Sequence, residues 1–375
     1  MHPWRAYMKL KHLLGIGAVP FPTVMRGLLH LYPDYLFGRG YSKSFMNLTL
    51  ELTYRCNWAC EFCFLRNNLL YKSGPELSET EILGIVDQAA ALRLGVFITG
   101  GEPFIREDAV SIIRGIKERG LRVGANTNHH LLDPDKIDAL IECGMDYLIV
   151  SVHGPREVHD RLTGVECFER VMTNLQHWRK REHNTCIILN FVLTPDNAAY
   201  AEDVVRIGGE TGVSMVCMQH ASYLTDRERE LHYKVWRDIF GTSIEPELSH
   251  LSMAASSMPL GAMAAHLEQA RKVGNQIGVR VFVKPDLHGE ELAQWYGDDF
   301  RYGGKCSYLY TDIRVDPFGN VVVCQPIPSK IGNIREASLL ALANSPRMAA
   351  VRNGIKRAGG MFPACTRCCK MYRSF

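Results

Sequence analysis

The sequence lacks any strong imbalance of charge: 43 Lys and Arg stand against 40 Asp and Glu, a formal net charge of +3 over 375 residues. The charges are interspersed, with no basic stripe and no acidic tail, which argues against nucleic acid or another polyelectrolyte as partner. A hydrophobic run long enough to span a bilayer is also lacking. The nearest candidate, residues 13–23, follows Arg5, Lys9 and Lys11 as the apolar part of a signal peptide would. Pro20 and Pro22 break it, however, and no small-residue cleavage site follows. The expectation for residues 1–45 is a helical segment packed on the main domain. Peripheral contact with a membrane surface is the alternative for so basic and apolar a stretch. Internal repeats and low-complexity tracts are absent, which excludes repeat architectures and biased linkers.

Cysteine, by contrast, is abundant. Twelve in a chain of this size would read as disulfides in a secreted protein. Seven of them fall instead into short-spaced or hairpin-associated groups toward the two ends, as metal ligands do. Cys143, Cys167, Cys186, Cys217 and Cys369 stand apart and read as small buried hydrophobes. The expected setting is reducing and cytoplasmic.

From residue 46 strand-like and helix-like stretches alternate. Residues 46–52 alternate apolar and polar, as a strand does. Ser78 and Glu81 form a capping box for a helix running to Leu92. Strands follow at 95–99, 121–126, 147–152, 187–193 and 213–218, with helices at 108–118, 134 onward, 168–181 and 196–210. Asp133-Pro134 is an N-cap followed by an N1 proline. Six such alternations predict an α/β fold, a partial (β/α)6 TIM-like barrel over residues 46–220, with its chemistry at the C-terminal strand ends. Residues 221–302 break the rhythm and read as a variable connecting or substrate region, with one helix leading into a strand at 279–283. Residues 308–315 and 321–324, joined by the turn Asp316-Pro317-Phe318-Gly319-Asn320, read as a β-hairpin that opens a small C-terminal hairpin/helix extension over 303–375.

Cys56, Cys60 and Cys63 directly follow the first strand. Three thiolates on one tight loop can hold three irons of a [4Fe–4S] cube and leave the fourth open. A structural zinc would want a fourth Cys or His, which the nearby loop does not have. With aromatic Phe62 before the third cysteine, the trio resembles the CxxxCxΦC signature of the radical S-adenosylmethionine (SAM) superfamily. Gly100-Gly101-Glu102-Pro103, at the end of the second strand, resembles that family's GGEP motif. The resemblance implies that the glycines allow close backbone approach and that Glu102 takes up the amino group of SAM. Asn126-Thr127-Asn128 is similar to the TNG stretch, with His129 in place of the glycine. Ser151-Val152-His153-Gly154 with His159-Asp160 is similar to the SxDG…HD region, with His153 in place of Asp. On this resemblance Asn128, Ser151 and Asn190 are further SAM contacts. In this branch an arginine often precedes the glycine after the His-Asp pair; here Thr163 precedes Gly164, and Arg161 is the substitute to consider.

Near the C-terminus Cys306 and Cys324 flank the hairpin, and Cys365 and Cys368 form a CxxC with Cys369 adjacent. Four thiols suffice for a closed cluster, and on chemistry alone for a four-cysteine zinc site as well. The spacing Cys-x12-Gly-x4-Cys followed by CxxC resembles the twitch or shortened SPASM extension of radical SAM enzymes, which implies one auxiliary [4Fe–4S] cluster. The expected function is reductive cleavage of SAM to a 5′-deoxyadenosyl radical. That radical takes hydrogen from a small-molecule, lipid or peptide substrate, with flavodoxin or ferredoxin as electron donor and the auxiliary cluster assisting oxidation or coupling of the substrate radical. A non-catalytic iron–sulfur scaffold or electron carrier, and a zinc-stabilised C-terminus, are the alternatives. The 55 residues before Cys56 lack the strand pattern of the leader-binding domain that peptide-modifying members often carry. Their basic-apolar character favours a lipid or membrane-associated substrate. No side chain is singled out as catalytic.

Overall fold

A strand whose apolar and polar residues alternate puts one set on each face of a sheet. In the computed structural model, which describes residues 21–63, 65, 74–213, 215–248, 251–252, 260–297 and 304–368, this governs the whole architecture. Strands β1 (Asn47–Thr53), β2 (Gly95–Gly100), β3 (Val123–Thr127), β4 (Tyr147–Ser151), β5 (Cys186–Leu193) and β6 (Met215–His220) pair in sequence order, all parallel. Helix α1 (Phe21–Phe37) precedes them. Helices α2 (Glu79–Ala91), α3 (Ala109–Glu118), α4 (Pro134–Glu142), α5 (Arg156–Thr163), α6 (Phe168–Arg179) and α7 (Ala201–Glu210) fill the crossovers. The caps read from the sequence are present. Ser78 and Glu81 form the capping box of α2, and Asp133 accepts from the Lys136 backbone N–H at the start of α4.

One face of the sheet is apolar except at its C-terminal edge, where Thr127 and His220 are buried. Leu48, Leu50, Val96, Ile98, Val123, Ala125, Leu148, Val150, Leu189 and Phe191 are buried with the apolar sides of the helices in one core. The other face changes character along the strands. At the N-terminal end Met46, Phe97, Tyr147, Ile149 and Cys186 pack into a small separate cluster. The Phe97 and Tyr147 rings stack there, 6.1 Å apart. Gly124 makes room for them, since a Cβ there would lie 2.1 Å from the Tyr147 ring. Toward the C-terminal end the same face is polar. In register lie Glu51 with Thr99, Ser151 with Asn190, and Asn190 with Cys217. The barrel interior thus has an aromatic floor and a polar upper part.

Residues 221–302 do more than connect. After β7 (Tyr223–Leu224), the charged stretch at 226–230 is the first turn of α8 (Asp226–Phe240), closed by a Thr225–Glu228 capping box. β7 pairs with β8 (Leu251–Ser252). Helix α9 (Leu260–Ile277) leads into β9 (Arg280–Lys284), which adds a seventh parallel strand beside β6, and α10 (Glu290–Trp295) follows. On the opposite edge, β10 (Asp312–Val315) runs parallel to β1 and antiparallel to β11 (Asn320–Val322), which pairs with β12 (Lys330–Asn333). The hairpin is therefore part of the barrel sheet, which stays open between β9 and β12. Two helices, α12 (Leu339–Ala343) and α13 (Pro346–Arg357), complete the described extension.

The strand expected over 308–315 is corrected in its first half. Tyr308–Thr311 form one helical turn, α11, whose residues are all buried. Their β-rich composition yields to tertiary packing, as β-propensity does when burial on several sides is at stake. Arg5, Lys9, Lys11 and Cys369 lie outside the described residues. No helix among the described residues is long and apolar enough to cross a membrane.

Candidate functional site

The loop after β1 carries Cys56, Cys60 and Cys63, all half-buried. The Cys63 N–H donates to the Cys60 carbonyl at 3.2 Å, and the Ala59 N–H donates to the Thr163 carbonyl at 2.9 Å. These bonds tie the loop to the end of α5, where Gly164 turns in the left-handed region (φ +71°). The three sulfurs are close enough to influence one another. Burial first, and the neighbouring acidic groups after it, push the Cys56 thiol up to about 11 and the Cys60 thiol higher. Such thiols are neutral until a cation stabilises the thiolate, so the donor set suits iron, which supplies that charge.

Glu102 stands beside this loop at the end of β2, only 1% exposed. The two glycines before it explain how. Gly100 has φ +132°, and a Cβ there would lie 2.3 Å from the Thr53 carbonyl oxygen; a Cβ on Gly101 would lie 2.2 Å from that of Arg55. The strand end therefore runs against the backbone of the cysteine loop. The Gly101 N–H reaches Thr53 O at 2.8 Å and the Glu102 N–H reaches Arg55 O at 2.9 Å. The Glu102 carboxylate accepts from the Phe104 N–H (3.1 Å), Thr127 Oγ1 (2.8 Å) and the Asn128 N–H (2.6 Å). Burial outweighs these donors and raises its pKa to about 7. Pro103 starts the short 3-10 turn that follows. Gly100→Ala is expected to destabilise the fold by on the order of 3 kcal/mol, from positive-φ strain plus overpacking. Urea unfolding with iron retention checks it; an unchanged midpoint would refute the close approach.

Asn128 is held from both ends. Its Nδ2 donates to Asn57 Oδ1 at 2.7 Å and its Oδ1 accepts from the His130 N–H at 3.0 Å. It thus braces the cysteine loop, and its backbone holds Glu102. Ser151 and Asn190 are half-buried and adjacent on the polar upper face. Phe62 is half-buried with its ring 4.7 Å from that of His153. Arg161 is exposed on α5.

The two histidines in unusual places have structural work. His129 takes φ +65°, the conformation that a glycine at this point would supply. Its Nε2 accepts from the Trp178 indole at 3.0 Å, and burial lowers its pKa to about 3. His153 is buried and neutral; its backbone N–H donates to His159 Nδ1 at 3.1 Å, and its own Nδ1 accepts from the Val192 N–H at 3.5 Å. Asp160 caps α6 by accepting from the Cys167 and Phe168 N–H groups, both at 2.9 Å. Of the cysteines expected to be buried hydrophobes, Cys167 is buried, while Cys143, Cys186 and Cys217 are half-buried.

The second cysteine group also converges. Cys365 is buried, and burial first, then the nearby Cys306 and Cys324, hold its thiol well above the usual range. Cys368 closes the turn, its N–H donating to Cys365 O at 3.2 Å, while the Cys306 N–H reaches Gly360 O at 3.1 Å. Arg367, between the two cysteines of the CxxC, is fully buried. Its Nη1 meets both Glu228 oxygens at 2.6 and 2.5 Å, its Nε donates to Trp295 O at 2.5 Å, and its guanidinium stacks 4.4 Å over Tyr223. This buried pair, 139 positions apart, clamps the CxxC turn to α8 and α10. Arg367, Glu228 and Asn57 are not marked by the sequence, and Thr127 only as part of the Asn126-Thr127-Asn128 stretch. An arginine inside a CxxC was the one visible signal. A second buried pair, Arg314 with Glu51 at 2.6 Å, joins β10 to β1 on the interior face.

A barrel whose first strand end carries three thiols, whose second carries a buried Glu after two glycines, and whose sheet continues into a four-cysteine extension defines a cluster-bearing α/β barrel. Two family models match it: the radical SAM superfamily over residues 50–207 and an iron–sulfur cluster-binding domain (SPASM) over residues 306–369. The chain belongs to the radical SAM superfamily of enzymes, with a SPASM-type extension, and its cofactors are SAM and [4Fe–4S] clusters. Among curated proteins it is similar to probable GTP 3′,8-cyclases of Sulfurisphaera tokodaii (30% identical over 177 residues) and Metallosphaera sedula (33% over 177). Each match takes 46% of this chain and 55% of the relative, so the chain spans about half the length of those proteins. Among solved structures it is similar in fold to Streptococcus suis SuiB bound to its precursor peptide SuiA, with TM-score 0.60, 16% identity, and coverage of 84% of this chain and 69% of that one. It is also similar to anSMEcpe with bound AdoMet and a peptide, with TM-score 0.57, 17% identity and 87% of each chain covered.

Proposed function

We propose that this protein binds SAM over the loop of Cys56, Cys60 and Cys63 and cleaves it reductively. The resulting 5′-deoxyadenosyl radical removes hydrogen from a small-molecule, lipid or peptide substrate in the barrel. A cluster on the three thiols supplies the electron for that cleavage when bound. The observation that carries this reading is the buried Glu102, fixed against the backbone of the cysteine loop. Its carboxylate is held by two backbone N–H groups and a hydroxyl, all uncharged, and the SAM ammonium is the charge it would complement. Gly100 and Gly101 let β2 end there, Pro103 turns the chain away, and Asn128 locks the loop. Ser151 and Asn190 face the same upper chamber and offer hydrogen bonds to the polar part of SAM, and Phe62 covers its edge.

Cys306, Cys324, Cys365 and Cys368 would hold the auxiliary cluster, which accepts an electron from the substrate radical. Relatives named as GTP 3′,8-cyclases and structures with bound peptides leave several substrate classes in view. The polar upper chamber suits a substrate with hydrogen-bonding groups.

Glu102 gives the test. Glu102→Ala should weaken SAM binding roughly ten- to a hundredfold, because a hydrogen bond to a charged group is worth about 1.5–3 kcal/mol. The cluster absorption should remain, since Glu102 is not an iron ligand. The pKa near 7 adds a sign: the carboxylate must ionise to pair with the ammonium, so affinity rises as pH is raised through about 7. Calorimetry at pH 6 and 8 should show that rise in the native protein and no comparable rise in Glu102→Gln. Equal SAM affinity in native protein and Glu102→Ala would remove Glu102 from the site.

A further inference from the structure

The thiols of the second cysteine group are carried by two different parts of the molecule. Cys306 and Cys324 belong to the strands that extend the sheet beyond β1. Cys306 precedes α11, and Cys324 follows β11, with its N–H donating to Ile327 O at 3.1 Å. Cys365 and Cys368 sit on a turn that packs against the connecting region instead. Phe362, just before that turn, is buried against α8. Its ring lies 5.1 Å from that of Trp236, 5.9 Å from His232 and 6.0 Å from Phe240. Arg367 extends the same attachment. Its Nη1 pairs with Glu228 of α8, while its Nε and Nη2 donate to the carbonyls of Trp295 and Gly297 at the end of α10, both at 2.5 Å.

These two parts continue the two open edges of the sheet, β12 on one side and β9 on the other. The four thiols therefore draw on both sides of the opening. Other ties between the two parts are neutral, such as the Glu247 N–H donating to Ser329 Oγ at 3.0 Å. The Arg367–Glu228 tie is ionic, and the two side chains are 0% and 10% exposed. Parting such a pair leaves a buried charge without a partner, so the two ends move together or not at all. The tie also leads to the mouth of the barrel. The guanidinium lies 4.4 Å over Tyr223, which stacks on Tyr296 at 6.1 Å and donates from its hydroxyl to Trp295 O at 3.3 Å. The Tyr296 hydroxyl is 2.8 Å from Nδ1 of His220, the last residue of β6.

We propose that the second cysteine group is a metal-driven latch. Filling its four thiols joins the two edges and, through Arg367 and Glu228, holds α8 and α10 at the β6 side of the chamber mouth. The inference rests on the assignment of Cys306, Cys324, Cys365 and Cys368 to a cluster. Metal binding is coupled to the folding of the segments that carry its ligands, and such coupling is reciprocal. The cluster orders the two helices, and the helices slow the loss of the cluster. Glu228 is then a positioning residue for the ligand turn, acting through Arg367.

The test is hydrogen–deuterium exchange, read by mass spectrometry on the full chain under anaerobic conditions, for native protein and Cys365→Ala/Cys368→Ala. Amides of Asp226–Phe240 and Glu290–Trp295 should exchange at least about tenfold faster in the variant. Those of α3 and α4, across the barrel, should keep their native rates. A second arm leaves the second cysteine group intact. In the Cys56→Ala/Cys60→Ala/Cys63→Ala background, Glu228→Gln should release iron to bathophenanthroline at least about tenfold faster. Native exchange rates in α8 and α10 of a variant that has lost about four irons would overturn the latch and leave the cluster standing. A rise spread equally over α3 and α4, or iron release unchanged by Glu228→Gln, would overturn it as well. Native iron content in Cys365→Ala/Cys368→Ala would instead refute the ligand assignment, and the latch with it.

Discussion

Replacing Cys56, Cys60 and Cys63 together with alanine is expected to lower iron in anaerobically purified protein from about eight per chain to about four. It should also abolish 5′-deoxyadenosine formation under dithionite. The retained irons would show that the rest of the fold survives, because the second cysteine group depends on β10, β11 and the Arg367–Glu228 clamp and not on the β1 loop. The loop's own ties, Ala59 to Thr163 and Asn57 to Asn128, do not need the sulfurs. The effect on turnover is the largest expected from any side-chain change, because these three thiols would hold the electron source for SAM cleavage. Persistent 5′-deoxyadenosine in the triple variant would refute the site.

The second large effect concerns Cys365 and Cys368. Their double replacement by alanine should remove about four irons and abolish product formation, while SAM cleavage survives at least in part. The separation follows from the architecture: the β1 loop stands at the C-terminal end of the barrel strands, and the CxxC turn is held from α8 and α10. Zinc in the same four thiols could brace the turn but could not take an electron, having no accessible redox state. Metal analysis of the Cys56/Cys60/Cys63 variant separates the two. About one zinc with no residual iron would overturn the auxiliary cluster.

The parts of this site that were legible in the sequence are those carried by local chemistry. The alternation along β1, the Ser78–Glu81 box and the Asp133-Pro134 start each act within a few residues, so pattern alone located them. The glycines before Glu102 were legible too, though their reason was incomplete. They admit the strand end to the backbone of Thr53 and Arg55, a contact between separate strands that no local pattern reveals. What escaped is long-range. β9 joins β6 across a connecting region of irregular composition, and residues 308–311 exchange their β-rich character for a buried helical turn. Arg367 stands visibly inside the CxxC, but its pairing with Glu228, 139 positions away, escapes the sequence because Glu228 looks like an ordinary surface charge until folding buries the two together. His129 in a glycine's conformation is similar: the indole of Trp178 and the amide of Asn174, 49 and 45 positions away, help to hold it.

The central claim is that the buried carboxylate and the three-thiol loop form a site that cleaves SAM. Native protein, purified anaerobically, reduced with dithionite and given SAM, should yield 5′-deoxyadenosine and methionine in equal amounts by chromatography. Neither product, from protein carrying about eight irons, would contradict it.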